Sequence, residues 1–344
     1  MSEWENVVQD QGVTCWDEYR KVSRKGRGLP LSVKARKQVW QVFSQVMDKL
    51  DARGLADWPT IHRMAKERLQ AKMVMSPFDA VIVDELQDLR PQAIRLLPEL
   101  AGTGENSLSL LGDGGQRIYN GRFSLKSLGI DVRGRSHTLR INYRTTEQIR
   151  RFADRLLNDQ SDDMDGNQES RKKTKSLLQG PDPHTRAFET ESLERSFIAK
   201  KIGELHADGL ALDEIAIFSR TQRNLSLLEK VLAAADIPYH NLKQGQAESG
   251  AVNLGTMHRA KGLEFKAVFV VHVSDDQLPL GKVISKVQDE QILQDLVVRE
   301  RQLLYVSLTR ARDEVFVGWT GQPSRFLEEV LTAPSGEEGT GNKT

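Results

Sequence analysis

The first residues in this chain that could do chemistry together are carboxylates at the end of an apolar run, Phe78-Asp-Ala-Val-Ile-Val-Asp-Glu-Leu-Gln-Asp88. If the run is a strand, Asp84 and Glu85 stand at its carboxyl end, where one can hold Mg²⁺ through a water and the other can polarise an attacking water. An acidic turn after a strand is also a common surface feature, so this run alone leaves both readings open. A second apolar run leads into Leu111-Gly-Asp-Gly-Gly-Gln-Arg-Ile-Tyr119. There Gln116 could sense a phosphate by hydrogen bonding, while Gly112, Gly114 and Gly115 read equally well as turn residues. Three more blocks carry polar residues beside apolar runs: Asn142-Tyr143-Arg144, Gly255-Thr-Met-His-Arg-Ala-Lys-Gly-Leu-Glu-Phe265 and Glu300-Arg-Gln-Leu-Leu-Tyr-Val-Ser-Leu-Thr-Arg-Ala311. Planar arginines suit phosphoryl oxygens, yet an isolated arginine is more often a surface ion pair.

The elements that must position these residues follow from hydrophobic period. Residues 1–76 show helical spacing, as in Val39, Val42, Phe43, Val46 and Met47, with no convincing strand. From Phe78 the texture changes to short apolar runs that suit strands buried on both faces: Ala80–Val83, Leu108–Leu111, Ile215–Phe218, Ala251–Leu254, Ala267–Val271 and Val315–Val317. Amphipathic helices lie between them. The clearest follows Arg144, with Ile149, Phe152, Ala153, Leu156 and Leu157 on one face and a capping box predicted from Thr145 and Gln148. Alternating strands and helices predict an α/β fold of parallel layers with ligands at strand carboxyl ends. The polar stretch from Asn158 to Pro183 reads as an exposed connector, and the tail after Thr332 as disordered.

Composition narrows the class. With 344 residues and 38% apolar content the chain can bury sizeable cores, and its net charge of +1 confines any nucleic-acid surface to a local patch. Basic runs at Arg20, Lys21, Arg24, Lys25 and Arg27, and at Arg133, Arg135 and Arg140, could follow a phosphate backbone or simply face solvent. No segment has the length of a membrane span and the start lacks a signal-peptide layout, so a cytoplasmic location is expected. Cys15, the sole cysteine, reads as a small buried residue.

Taken together and in order, the five blocks Asp-Glu-x-Gln-Asp, Gly-Asp-x-x-Gln-x-Ile-Tyr, Asn-Tyr-Arg, Thr-x-His-x-x-Lys-Gly-Leu-Glu-Phe and Tyr-Val-x-x-Thr-Arg-Ala resemble motifs II to VI of the UvrD/Rep/PcrA-type superfamily 1 DNA helicases. The resemblance covers roughly residues 77–330. It implies RecA-like parallel sheets: a helical 1B-like block over 1–76, the C-terminal part of domain 1A over 77–140, and domain 2A over 141–332 with a reduced or absent 2B. The activity it implies is an ATP-dependent 3′-to-5′ DNA helicase using ATP and Mg²⁺ on single-stranded and partly duplex DNA. Carried over, Asp84 binds Mg²⁺, Glu85 is the general base and Gln116 couples the γ-phosphate to the DNA site. Tyr143 stacks on adenine, Glu264 holds the ribose with Gly262 beside it, and Arg144 and Arg310 contact the γ-phosphate across a cleft. Tyr119, Arg122, Thr256 and His258 fall on the DNA side. Taken singly, Tyr143 also reads as a packed aromatic near a helix start, and His258 as a satisfied core histidine.

This sequence also departs from the family. Gly121 stands where the family commonly has a tryptophan. The Walker A pattern Gly-x-x-x-x-Gly-Lys-Ser/Thr is not met: Gly281-Lys282 has Asp276 and Val283 at the other key positions, Ala101–Asn106 has no lysine, and the tail from Gly336 to Thr344 has Asn342 as an extra residue. The sequence thus reads as a truncated form whose partner is the missing N-terminal helicase segment or another protein. A catalytically silent DNA-binding or interaction module is the alternative. A nuclease would need a carboxylate and lysine cluster after the last motif, which is not there.

Overall fold

The computed structural model describes residues 3–24, 30–102, 104–118, 123–157, 161–162, 168–169, 173–287 and 289–332. They divide into two compact units, one built mainly from the chain up to Thr138 and the other mainly from Leu139 onward. The predicted disordered tail lies outside the described residues, as does part of the predicted connector, whose residues Lys175–Leu178 form a strand instead. Among the described residues no helix is long and apolar enough to cross a membrane.

The first unit opens with short helical turns and two long helices, α1 (Val33–Asp51) and α2 (Trp58–Gln70). Ser32 caps α1 by accepting from Ala35 N, and Asp57 caps α2 by accepting from Thr60 N at 2.9 Å. The predicted apolar stripe on α1 is half right. Val39, Phe43 and Met47, at spacing four, pack with Trp40 on Val7, Val8, Val13 and Tyr19, whereas Val42 and Val46 fall on the neighbouring face and are exposed. Cys15 corrects the sequence expectation: it is exposed, in extended backbone just before a single helical turn. Arg24 of the basic run is turned inward and held by Glu3 at 2.9 Å, so its charge is already spent on a carboxylate.

The unit then turns to α/β structure. Strand β1 (Val81–Val83), helix α3 (Pro91–Leu100) and strand β2 (Leu108–Leu110) form a parallel β-α-β unit. Val81, Val83, Leu108 and Leu110 face a core of Leu86, Ile94, Leu97, Phe123, Leu125 and Leu128. The opposite face is uncovered, and Ile82 at its centre is 76% exposed.

The second unit begins with β3 (Ile141–Thr146), helix α4 (Glu147–Asp154) and β4 (Lys175–Leu178), the two strands pairing in parallel. The cap of α4 lies one residue later than predicted: Thr146 accepts from Ile149 N. Thr145 instead accepts from the Asn142 side chain, and Gln148 accepts from Gly180 N. There follow β5 (His184–Phe188), α5 (Glu191–Ala207), β6 (Ile215–Ser219), α6 (Gln222–Ala234), β7 (Tyr239–Asn241), β8 (Val252–Thr256), β9 (Phe265–Val271), α7 (Glu290–Leu308), β10 (Ala311–Thr320) and α8 (Arg325–Thr332). Six of these strands form one all-parallel sheet in the order β5-β10-β9-β6-β8-β7. Every residue of β6 is buried, as expected of a central parallel strand covered on both faces. On one face α5 and α6 bury Ile198, Ile202, Leu225 and Leu228 against Ile217, Leu254 and Phe269.

A buried polar pair fastens the carboxyl end of β9. His272, in the left-handed region at φ 57°, donates its backbone N–H to Glu194 Oε1 at 3.0 Å. Space for that carboxyl exists because residue 318 is glycine; a Cβ there would lie 2.5 Å from Glu194 Oε1. Burial, assisted by Glu191, pushes the Glu194 carboxyl up to about 7, against the His272 hydrogen bond and Arg195. Burial likewise pushes His272 down to about 4. A raised carboxyl contributes stability that is present below its unfolded value and lost as pH rises through its folded one. Between pH 5 and 8 the protein should therefore lose up to about 3 kcal/mol through Glu194. The variant Glu194→Gln cannot ionise and should escape this loss. Urea unfolding of both proteins at pH 5 and pH 8 checks this: the stability gap must widen toward pH 8, since His272 acts in the opposite sense and is common to both.

Candidate functional site

In the first unit, parallel pairing brings the two glycine- and acid-rich motifs together. Leu111 N donates to Val83 O at 2.8 Å and Leu86 N donates to Leu111 O at 3.0 Å, so the chain segments leaving β1 and β2 are held side by side. Asp84 and Glu85 are exposed at that edge. Glu85 has φ 52°, a left-handed conformation that costs a side-chain-bearing residue about 1–2 kcal/mol. Its own N–H donates to Asp84 Oδ1 at 2.8 Å. Asp113 organises the second motif, with Oδ1 accepting from Gly115 N and Oδ2 from Gln116 Nε2, both at 2.9 Å. Gln87, to which the sequence reading gave no role, is buried between the two motifs and bonds to both Glu85 and Asp113.

Among the described residues no group of three or more His, Cys, Asp or Glu is placed to hold a metal ion. Asp84 and Glu85 nonetheless fit Mg²⁺, which takes oxygen ligands and usually binds proteins through one or two carboxylates, with water and phosphate completing its shell.

In the second unit the remaining motifs meet in two places. The first is at the amino end of β9. Asn142 Oδ1 accepts from Arg144 N at 2.7 Å and Thr145 N at 3.3 Å, a side-chain turn beside which Tyr143 is 70% exposed. Arg144 Nε lies 3.1 Å from Glu264 Oε2, both side chains being 46% exposed, which joins two motifs 120 residues apart. Gly262, at φ 82°, makes the turn before Glu264. Next to this, Phe265 N donates to Arg310 O, and the Arg310 guanidinium donates to Val306 O at 3.2 Å and Leu263 O at 3.3 Å. Arg310 is only 2% exposed, so in this conformation it ties the end of α7 to the Leu263 turn.

The second meeting place is the carboxyl edge, where Thr256 ends β8 and His258 lies half-buried in the turn that follows. Burial lowers the His258 pKa, Arg220 adding to this and Glu300 opposing it. Arg220 and Glu300 form a buried two-bond pair at 2.6 and 2.7 Å. The sequence reading quoted Glu300 without a role and missed Arg220, whose only signal was a charge two residues after the apolar run Ile215–Phe218. Tyr119 and Arg122 lie outside the described residues.

With this geometry in hand, comparison with known proteins is specific. The UvrD/REP helicase N-terminal domain model matches residues 3–126, and the UvrD-like helicase C-terminal domain model matches residues 137–247 and 240–322. The ATP-dependent DNA helicase Rep of Buchnera aphidicola is 32% identical over 112 residues, 33% of this chain and 16% of that protein. A probable DNA helicase of Mycoplasma pneumoniae is 27% identical over 274 residues, 73% of this chain and 46% of that protein. DNA helicase IV of Escherichia coli is 24% identical over 301 residues, 81% of this chain and 39% of that protein. The chain thus spans less than half the length of these relatives. Since the C-terminal domain model alone accounts for more than half of its residues, the chain belongs to the UvrD-like helicase family.

Proposed function

We propose that this chain supplies the water-activating, phosphate-sensing and arginine-bearing parts of an ATP-driven 3′-to-5′ DNA helicase, acting in the cytoplasm on single-stranded and partly duplex DNA. The observation that carries the reading is the edge where β1 and β2 end: two exposed carboxylates, one on a strained left-handed residue, beside a glycine-rich turn that presents Gln116. Strain of this kind concentrates at functional sites. Asp84 would hold Mg²⁺, which when bound neutralises charge on the phosphate oxygens. Glu85 would take a proton from water as the water oxygen bonds to the γ-phosphorus and the bond to the ADP oxygen breaks. Gln116 would report on the γ-phosphate. Tyr143 would stack on adenine, Glu264 with Gly262 would hold the ribose, and Arg144 and Arg310 would neutralise the transferring phosphoryl group. Thr256 and His258 would face DNA, along with Tyr119 and Arg122.

The Walker A pattern that grips phosphate is not met in this sequence. We assign that part to a further polypeptide segment of such a helicase. The uncovered face of the β1–β2 pair, with Ile82, Phe78 and Leu111 exposed, supports a further segment that packs a layer on it, because parallel sheets are otherwise covered on both faces.

Two measurements test this reading. Fluorescent ATP·Mg²⁺ should bind the chain, and Tyr143→Ala and Arg144→Ala should each weaken binding by about tenfold, roughly 1.4 kcal/mol. Binding unchanged by both would remove the nucleotide roles from this unit. Arg144→Ala should change folding stability by less than about 1 kcal/mol because its ion pair is half-exposed, whereas Arg310→Ala should cost about 2–3 kcal/mol by removing its buried bonds to the Val306 and Leu263 carbonyls. Second, DNA-stimulated ATP hydrolysis by the chain should be weak and should vanish with Glu85→Gln. Turnover that survives Glu85→Gln would remove the base role, and nucleotide binding with no turnover in any context would favour a silent DNA-binding module.

A further inference from the structure

Gln87 is 1% exposed, yet both polar atoms of its side chain have a partner. Its Oε1 accepts from Asp113 N at 3.0 Å, and its Nε2 donates to Glu85 Oε2. Chemistry leaves no freedom in that orientation, since a backbone N–H can meet only the oxygen of the amide and a carboxylate only its nitrogen. The chain of bonds continues through the Asp113 carboxylate to the Gln116 side chain at 2.9 Å. Four residues drawn from two motifs are therefore linked in one line that passes through the Asp113 main chain, with the buried Gln87 amide joining the two motifs.

None of the side chains closest to glutamine in shape serves at that link. Glutamate would accept from Asp113 N but could not donate to Glu85, and would set a second carboxylate beside it. Leucine or methionine would fill the space and do neither. Asparagine is one methylene short of spanning the two partners. Because Gln87 is buried among packed neighbours, displacing Asp113 displaces the donor that orients the Glu85 carboxyl, and displacing Glu85 loosens the anchor of the Asp113 turn.

Resting on the reading of Glu85 as base and Gln116 as phosphate sensor, we propose that Gln87 is the positioning residue that couples them. It makes no contact with substrate itself. It fixes the carboxyl that activates water and ties that carboxyl to the turn that reports on phosphate, so each responds to a displacement of the other.

The test is amide hydrogen exchange of Asp113 and Gln116, followed by NMR on the full chain without nucleotide. In the native protein, Glu85→Ala removes the acceptor of Gln87 Nε2 and should speed exchange at Asp113 by about tenfold, the loss of roughly one hydrogen bond. In a Gln87→Leu background exchange at Asp113 should already be fast, and Glu85→Ala should add nothing. Gln87→Glu should restore slow exchange at Asp113 without restoring its response to Glu85→Ala, a separation that a purely space-filling role would not produce. Gln87→Met serves as the apolar variant if the leucine protein does not fold. Equal Asp113 exchange in the native protein and the apolar variant, or an equal effect of Glu85→Ala in both, would overturn the proposal. Because none of these readouts needs hydrolysis, the coupling stands or falls independently of the base role that turnover with Glu85→Gln examines.

Discussion

Parallel strands cannot be joined by a tight turn, so each must be followed by a crossover that returns the chain to the starting edge. Everything that leaves the strands then collects along one side. This constraint places Asp84 and Glu85 beside the turn of Asp113 and Gln116, although Gln87 and Asp113, which join the two motifs, are 26 residues apart. The same rule in the six-stranded sheet gathers Ser219, Thr256, His272 and the residues after them at the carboxyl edge. At the opposite edge the loops entering β9 and β10 meet, and there Arg144, Glu264 and Arg310 gather. Two sets of chemically capable side chains on opposite edges of one sheet follow from strand direction alone.

Burial is what makes those edges rigid. A central strand such as β6 has apolar neighbours on both faces, and Glu194 and the pair Arg220–Glu300 are polar groups fixed where such strands end. A buried carboxyl must be hydrogen-bonded or neutral. Glu194 satisfies one oxygen with the His272 N–H and raises its proton affinity for the rest. Its bond in turn holds His272 in a conformation that a residue with a side chain rarely adopts, and Gly318 is the space that permits the carboxyl there.

How much of this was legible in the sequence depended on which force shaped each element. Strands buried on both faces, such as Ile215–Ser219 and Phe265–Val271, leave an unbroken apolar run and were readable within two residues. Three other strands leave no such run: Ile141–Thr146, Lys175–Leu178 and His184–Phe188 mix polar or charged side chains with apolar ones, and pairing rather than burial makes them strands. The capping reading failed by one residue because Thr145 and Thr146 are chemically equivalent, and only the Asn142 side chain, by claiming Thr145, decides between them. Of the candidate site, the exposed carboxylates and Tyr143 were readable from type and motif. The partners Gln87–Asp113, Arg144–Glu264 and Arg220–Glu300 were not, since a pair 26, 120 or 80 residues apart leaves no local trace.

The two arginines that the motifs single out show why residue type does not settle energetics. Arg144 is half in water and its pairing with Glu264 is worth little, so it can leave that carboxylate for a phosphate at small cost. Arg310 is buried with its donors on main-chain carbonyls, and moving it outward would break its bonds to Val306 O and Leu263 O. A phosphate could draw Arg310 out only by replacing those bonds with ones in which donor and acceptor are both charged. Of the two, Arg144 is poised to respond to a ligand with the fold unchanged. Arg310 can respond only if the Leu263 turn rearranges with it, and that turn leads directly into Glu264, the partner Arg144 would have released.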